Sequence, residues 1–402
     1  MEKILVINGG SSSFKYQVLE KGTERRLCQG LVERIGAADS LLTHKRFDEN
    51  GNEEKFVYPG NYHNHAAGMD KVAEVLMNAE LGGVIADRSE IVVIGHRVLL
   101  GGPLGNSIVT EEVKQIIRDY IPLGPLHNPA NLTGIEAMEK IFPGVPNVAV
   151  FDTGFHSTMP DYAYTYALPK ALTEKYGLRR YGFHGSSHSF VSKAAAALLG
   201  KKPSEVNVIV CHLGNGSSIS CVRGGKCVDT SMGTTPLQGV VMGTRCGDID
   251  PAAVVHLMKL GMKAEEIDTL MNKQSGLYGV AGINSGDMRD VLGAAAEGNE
   301  QAELAVKMFV RRIVKYIGAY YVLVGGPKAL VFTGGIGEFS VEIRSRILKS
   351  LAALGIAVNE DKNKECFGKC GVISTDDSKW QAIVMPTDEE LMIARSTKAL
   401  VK

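Results

Sequence analysis

The stretch that decides the fold spans residues 4–19 and reads ILVINGGSSSFKYQVL. Its apolar opening at 4–7 predicts a β-strand, and the alternation at 14–19 predicts a returning strand. Between them, residues 8–13 form a polar turn rich in glycine and serine, so the whole stretch is typical of a β-hairpin. Glycine and serine let backbone N–H groups approach a ligand closely, which is what phosphate groups require.

The same pattern recurs in the second half of the chain. An apolar run at 206–211 (VNVIVC) leads into a turn at 212–218 (HLGNGSS), and a further apolar run follows at 219–222 (ISCV). One such hairpin could arise by chance, but two, one in each half, indicate a duplicated domain.

The rest of the chain alternates between strand-like and helix-like segments, which indicates an α/β protein. Strands are predicted at 91–94, 148–151, 329–332 and 383–385, helices at 69–78 and 301–321 and near the C-terminus, and further sheet or an exposed excursion at 40–65.

Length and charge narrow the functional classes. The 402 residues, 43.2 kDa, exceed one typical domain and favour two. Forty-four basic residues balance forty-four acidic ones, so the chain lacks the basic surface expected of a nucleic-acid or membrane-surface binder. We therefore predict that the protein binds neither nucleic acid nor membrane. The seven cysteines lack the spacing of a zinc site, and the sequence has no leader-like start and no long apolar run. These features predict a reduced, cytoplasmic protein.

The glycine loops match none of the common phosphate-binding signatures. The sequence contains no G-x4-G-K-[ST] motif, no G-x-G-x-x-G after the first strand, and no H-R-D or D-F-G signature. What remains is a split nucleotide site made from the two hairpin turns and a third glycine loop, GGIGE at 334–338.

Five motifs in order along the chain together resemble the acetate kinase family. They are NGGSSSFK at 8–15, FHGSSH at 183–188, HLGNGS at 212–217, MGTRCGD at 242–248 and GGIGE at 334–338. The resemblance covers nearly the whole chain. It implies phosphoryl transfer from ATP to acetate, giving acetyl phosphate and ADP by a direct in-line mechanism.

The resemblance also implies a fold and an assembly. The fold is a duplicated actin-like (ribonuclease H-like) pair of α/β domains with mixed sheets flanked by helices and a nucleotide cleft between them. We expect residues 1–150 plus 386–402 to form the N-terminal domain and residues 151–385 to form the C-terminal domain with most of the nucleotide site. ATP or ADP as co-substrate, Mg²⁺ or Mn²⁺, and a homodimer are the implied partners.

Residue roles follow from the same resemblance. Asn8 and Glu389 are predicted to hold the metal, and the predicted catalytic residues are Asp152, His184, Arg245 and His127. Arg97 is predicted to bind the substrate carboxylate, because a guanidinium group offsets its repulsion from a polyanionic nucleotide. The predicted apolar pocket for the acetate methyl consists of Leu99, Leu126, Phe183 and Pro236.

The predicted nucleotide site is the largest set. It comprises Lys15, Ser11, Ser13, His212, Leu213, Gly214, Asn215, Gly216, Asp287, Met288, Arg289, Gly335, Ile336, Gly337, Glu338 and Phe339. Leu99 and Phe339 stand where the family usually has valine and asparagine, so the acyl pocket and a contact near the base are where this chain departs from its relatives.

Plainer interpretations stay open for many of these residues. Asp152 ends an apolar strand and is either an acid/base group, an orienting carboxylate or a strand-end cap. The four pocket residues are, on sequence alone, ordinary core residues. For the whole protein, the alternatives are a propionate or butyrate kinase, and an actin-like ATPase switch without a small-molecule acceptor.

Overall fold

The computed structural model describes residues 1–10 and 12–401. The chain divides into two compact units: unit 1 is Met1–Gly154 with Asp388–Lys402, and unit 2 is Phe155–Thr387. The domain boundaries predicted from the sequence lie after residues 150 and 385. It stays a prediction that the two units are separate folding domains. Within the described residues, no helix combines the length and the apolar character needed to cross a membrane.

Unit 1 is built on one sheet with helices on both faces. Its strands are β1 (Lys3–Gly9), β2 (Phe14–Glu20), β3 (Arg26–Glu33), β4 (Ser40–Phe47), β5 (Glu53–Gly60), β6 (Ile91–Val98), β7 (Ser107–Ile108) and β8 (Asn147–Phe151). Its α-helices are α1 (His65–Met77), α2 (Glu111–Asp119), α3 (Asn128–Ile141) and, from the far end of the chain, α15 (Glu389–Leu400).

The sheet of unit 1 has the order β5-β4-β3-β2-β1-β6-β8-β7. The first hairpin is confirmed, since β1 and β2 pair antiparallel with Asn8 opposite Lys15. Strands β1, β6 and β8 run parallel, and their register sets Asn8 beside Arg97 and Arg97 beside Val150. Parallel neighbours bring their carboxyl ends to one edge, so the residues that end these strands meet there.

Unit 2 carries the second sheet. Its strands are β9 (Asn207–Leu213), β10 (Ser217–Arg223), β11 (Lys226–Thr230), β12 (Ala329–Thr333), β13 (Gly371–Val372) and β14 (Gln381–Val384). Its α-helices are α4 (Asp161–Tyr164), α5 (Lys170–Tyr176), α6 (Gly185–Leu198), α7 (Pro251–Lys259), α8 (Ala264–Lys273), α9 (Gly276–Val280), α10 (Met288–Ala296), α11 (Glu300–Val324), α12 (Gly334–Phe339), α13 (Val341–Ser350) and α14 (Glu360–Glu365).

The two sheets share one topology, which confirms the duplication. Unit 2 has the order β11-β10-β9-β12-β14-β13. Its antiparallel hairpin β9–β10 and its parallel set β9, β12 and β14 repeat the arrangement of β1–β2 and of β1, β6 and β8. Unit 1 adds β4 and β5 at one edge, so the undecided segment 40–65 is largely further sheet.

The long helix α11 shows why these segments fold as they do. Asn299 accepts hydrogen bonds from the first helical N–H groups, and Gly325 ends the helix with a left-handed φ of 75°. The helix buries one face, including Phe309, Ile313 and Ile317, against the sheet of unit 2. The predicted helix at 301–321 is therefore confirmed, and it extends slightly at both ends.

Candidate functional site

Three polar side chains meet at the strand ends of unit 1. Asn8 lies near the end of β1, Arg97 near the end of β6, and Asp152 directly after β8. Arg97 donates through Nε to Oδ1 of Asp152 at 2.8 Å and through Nη2 to Oδ2 at 2.7 Å. Its Nη1 points to Oδ1 of Asn8 at 3.4 Å. The guanidinium group is thus fixed by two strongly directional bonds.

The ion pair is sheltered from solvent. The Asp152 side chain is 3% exposed and that of Arg97 is 20% exposed. Burial alone would lower the pKa of Arg97, but the carboxylates of Asp152, Glu389 and Glu390 raise it above its ordinary value. Arg97 therefore stays a cation, and its Nη1 edge is the part that the Asp152 fork does not engage.

The N-terminus of α15 brings two more carboxylates to the same edge. Asn8 donates through Nδ2 to Oε1 of Glu390 at 2.9 Å. That Asn8 and Glu389 hold a metal ion together stays a prediction. Burial raises the pKa of Glu389 to about 7, Arg97 opposes this shift, and Asp152 adds to it. Among the described residues, no side chain donates a hydrogen bond to the Glu389 carboxylate.

This donor set bears on the predicted metal. Within the described part of the chain, no group of three His, Cys, Asp or Glu side chains could hold a metal ion. Mg²⁺, however, takes only one or two protein oxygens and keeps several waters. The Glu389 carboxylate, to which no described side chain donates, and the Asn8 amide oxygen both belong to this edge of the sheet, and they are hard oxygen ligands of the kind that Mg²⁺ takes.

The turn of the first hairpin lies next to these groups. Gly10 donates its N–H to the carbonyl of Ser13 at 2.8 Å, which closes the turn. Lys15 pairs with Asn8 across β1 and β2, and its side chain is exposed. Ser11 was predicted to bind nucleotide and lies outside the described residues.

The four residues predicted to form the acyl pocket have unlike surroundings. Leu99 is 7% exposed and Phe183 is 1% exposed, as core residues are. Leu126 is 59% exposed, so its interpretation as a core residue is wrong. It precedes α3 in a short loop with His127, which occupies the residue before the helix. Pro236 is half-buried in unit 2 and accepts a hydrogen bond from Arg245 through its carbonyl.

In unit 2, the turn between β9 and β10 brings two predicted catalytic residues together. A Cβ built at Gly216 would lie 3.5 Å from Nη1 of Arg245 and 3.5 Å from Nε2 of His184. Both side chains therefore lie beside the Gly214–Gly216 turn. Burial lowers the pKa of Arg245, and within the described residues no carboxylate pairs with it. A partly buried cation of this kind is suited to an anionic ligand.

His184 belongs to a cluster of histidine rings. It has a left-handed φ of 61° directly before α6. Its ring centroid lies 4.3 Å from that of His212 and 6.5 Å from that of His188. Ser218 bridges His184 and His188, and Ser187 bonds to His212. Ser218 is not predicted from the sequence, because its hydroxyl is one of several on an ordinary buried strand.

A cavity of about 1080 Å³ adjoins this turn within unit 2. Eight of the residues predicted to bind nucleotide line it, and the sequence analysis missed several others, among them Phe367. The eight are Gly214, Asn215, Asp287, Met288, Arg289, Gly335, Ile336 and Phe339.

Other predicted nucleotide residues serve the framework instead of lining the cavity. The side chain of Leu213 is buried in the core of unit 2. The buried Glu338 carboxylate accepts hydrogen bonds from Thr333 Oγ1 and from the N–H groups of Gly334 and Thr387. These bonds tie the Glu338 side chain to the start of α12, and Glu338 is not among the residues that line the cavity.

Arg344 is a further residue that the sequence analysis missed. It is fully buried and donates to the carbonyls of Gly337, Glu338 and Cys366, which precede the cavity-lining segments at 339 and 367. The rings of Phe339 and Phe367 meet at 5.2 Å in a T-shaped pair. Arg344 therefore ties together the two backbone segments that carry this aromatic wall.

The chain is similar to known proteins in both sequence and fold. A model described as the acetokinase family matches residues 3–395. An acetate kinase of Oleidesulfovibrio alaskensis is 54% identical over 402 residues, 99% of each chain. The structure of Porphyromonas gingivalis acetate kinase has a TM-score of 0.91 at 43% identity, and a propionate kinase from Francisella tularensis has a TM-score of 0.90 at 40% identity. Both structures are covered in full by this chain.

The raised pKa of Glu389 predicts a pH-dependent stability. A carboxyl whose pKa is about 7 when folded and 4.5 when unfolded contributes stability below pH 4.5 and loses it as the pH rises through 7. Glu389→Gln abolishes this titration. The melting temperature of the variant, measured with a chelator and without nucleotide, is expected to exceed that of the wild type at pH 8 and to match it near pH 5.

Glu80→Gln is the matched control, because Glu80 is exposed in the same unit. It should leave the melting temperature unchanged at both pH values. An equal effect of Glu389→Gln at pH 5 and pH 8 would show that burial does not penalise the charged form.

Proposed function

The chain belongs to the acetokinase family, and we propose that its two clusters divide the work of one reaction, with acetate bound by unit 1 and ATP by unit 2. The enzyme is an acetate kinase, which transfers the γ-phosphoryl group of ATP reversibly to a carboxylate, and it has the duplicated actin-like fold. The observation that carries the division of roles is the convergence of Arg245 and His184 on the Gly216 turn, beside the cavity.

Unit 2 binds the nucleotide in this proposal. The glycine turn of the second hairpin offers backbone N–H groups to the phosphates, and the cavity between Asp287–Arg289 and Gly335–Phe339 holds the nucleoside. Arg245 and His184 bind the oxygens of the transferring phosphoryl group. During transfer the negative charge of the phosphoryl group spreads over its oxygens. Hydrogen-bond donors that are already in position stabilise this charge and so lower the activation barrier.

Unit 1 binds the acceptor. Arg97 presents its Nη1 edge to the acetate carboxylate, while Asp152 holds the rest of the guanidinium group. The Nη1 edge is the part that remains for acetate, because Asp152 already occupies the Nε and Nη2 donors. Acetate is ionised at neutral pH, so the reaction needs no general base. Asp152 therefore acts through the position of Arg97.

Leu99 and Leu126 of unit 1 stay assigned to the acetate methyl, and His127 to the acceptor side of the reaction. The exposure of Leu126 supports this assignment, because a large apolar side chain at the surface of a loop is available to a ligand. Phe183 and Pro236 belong to unit 2, and their assignment to the methyl follows from the family resemblance. Lys15 and the Ser13 turn offer a cation and a hydroxyl to phosphate oxygens.

Mg²⁺, or Mn²⁺, completes the site. Glu389 and Asn8 would hold it through one carboxylate and one amide oxygen, leaving its remaining positions to water and phosphate. When bound, the metal neutralises charge on the phosphates. The second acidic residue, Glu390, orients Asn8 through the bond to its amide nitrogen.

We also assign a homodimer and a cytoplasmic location. Support for the dimer comes from exposed apolar side chains on α7 and α11, including Val255, Met258 and Val322. Support for a reducing compartment comes from the cysteines, all seven of which are free thiols.

Propionate is the second candidate acceptor, because a propionate kinase is among the similar structures. We expect acetate to be preferred over propionate, because Leu99 adds a methylene to the pocket where the family usually has valine. One methylene in an apolar pocket changes the discrimination between two substrates by roughly 10–200-fold.

The test is hydroxylamine trapping of the acyl phosphate with acetate, propionate and butyrate. Leu99→Ala should reduce the preference for acetate over propionate. A wild-type preference for butyrate, or ATP hydrolysis without any acyl phosphate, would contradict the proposal.

Replacement of Arg245 and replacement of Arg97 are expected to change different kinetic parameters. Arg245→Ala should lower kcat by roughly 10²–10³-fold with little change in the KM for ATP, because its contacts strengthen in the transition state. Arg97→Ala should chiefly raise the KM for acetate. Steady-state kinetics with each substrate varied separates the two effects.

Lysine replacements serve as matched controls, since they keep the charge but lose the planar fork. Each should recover only part of the loss. If Arg245→Ala raised the KM for ATP and left kcat intact, Arg245 would be a ground-state phosphate ligand instead.

A further inference from the structure

One buried hydroxyl joins two histidines behind the phosphate turn of unit 2. Ser218, on β10, is fully buried, and its Oγ lies 2.9 Å from Nδ1 of His184 and 2.7 Å from Nε2 of His188. A serine hydroxyl carries a single hydrogen, so it can donate to only one of these two ring nitrogens. The direction of each bond determines which nitrogen of His184 carries its proton.

His188 settles the direction. It is fully buried, and burial, followed by the neighbouring His156 and His212, lowers its pKa well below the ordinary value. The ring is therefore neutral and has one N–H. Among the described residues, Nδ1 of His188 is buried without a hydrogen-bond partner. A proton on Nδ1 would be an unsatisfied buried donor, so the proton belongs on Nε2, where it is donated to Ser218.

This leaves the hydrogen of Ser218 for His184. We propose that His188 and Ser218 are positioning residues: they hold Nδ1 of His184 as an acceptor, which keeps the His184 proton on Nε2. The inference deepens the proposed function, on which it rests, because the Nε2–H is the donor that meets the transferring phosphoryl group.

The geometry at the turn supports this role. Nε2 of His184 lies on the side of Gly216, at the same distance from its built Cβ as Nη1 of Arg245. The opposite tautomer would turn a lone pair toward anionic phosphoryl oxygens. With the proton on Nε2, Arg245 supplies positive charge and His184 supplies a neutral, directional N–H, so the two groups bind the same oxygens without repelling each other.

The tautomer can be measured directly in the folded enzyme. Nitrogen-15 NMR of the histidine side chains distinguishes Nε2–H from Nδ1–H rings, and His184→Gln assigns the His184 signals. In the wild type we expect the Nε2–H form of His184. In Ser218→Ala we expect a mixture of tautomers, and in Ser218→Thr, which keeps the hydroxyl, we expect the wild-type form.

Kinetics gives the second readout. Ser218→Ala should lower kcat by roughly 10–100-fold, less than deletion of a transition-state donor itself, with both KM values nearly unchanged. Ser218→Thr should restore most of kcat. The matched control is Ser220→Ala, which removes an equally buried hydroxyl on the same strand, one bonded to Thr230. It should change neither the tautomer nor kcat.

Two results would overturn the inference. One is a wild-type His184 with its proton on Nδ1, which needs no variant and so does not depend on whether Ser218→Ala folds. The other is a Ser218→Ala enzyme with unchanged tautomer and kcat. A protein that forms no acyl phosphate but shows the expected tautomer would instead contradict the proposed function and leave the hydrogen-bond chain intact.

Discussion

The parallel register of β1, β6 and β8 is the constraint on which the proposed acceptor site depends. It brings three strand ends to one edge of the sheet, so Arg97 meets Asp152 although 55 residues separate them in the chain. A buried guanidinium group without a carboxylate partner is costly. The Asp152 pair therefore allows a cation to be kept in a sheltered place and aimed in one direction, which is what recognition of a small carboxylate requires.

Unit 2 has the same strand order, and we propose a different ligand for it. Its hairpin turn ends in glycines, and its cations and N–H donors are arranged without a carboxylate pairing with Arg245 among the described residues. Unit 1 thus offers a cation already neutralised by Asp152, whereas unit 2 offers one that lacks such a partner. This difference in charge balance explains why we assign the monoanionic acceptor to unit 1 and the polyanionic nucleotide to unit 2.

The sequence predicts most strands, both hairpins and the duplication, because these depend on local alternation and turn composition. Of the three glycine loops predicted to bind nucleotide, those at 214–216 and 334–338 contribute residues to the cavity wall, whereas no described residue of the first hairpin turn lines it. The sequence does not predict that Asn8 bonds to Glu390, that Glu338 holds a helix start, or that Leu126 is exposed, because each depends on which distant segment packs nearby. Ser218 and Arg344 carry no local signal at all, since a buried serine or arginine is recognised only by the groups it contacts.

We propose that Asp152 acts through Arg97, and a double-mutant cycle on kcat/KM for acetate measures whether the two residues depend on each other. Asp152→Ala, Arg97→Ala and the double variant are compared with the wild type. If Asp152 only positions Arg97, the double variant should be no worse than Arg97→Ala alone, so the two effects are strongly non-additive. If the two losses multiply in the double variant, Asp152 acts on the reactants or the metal directly, and the account is contradicted.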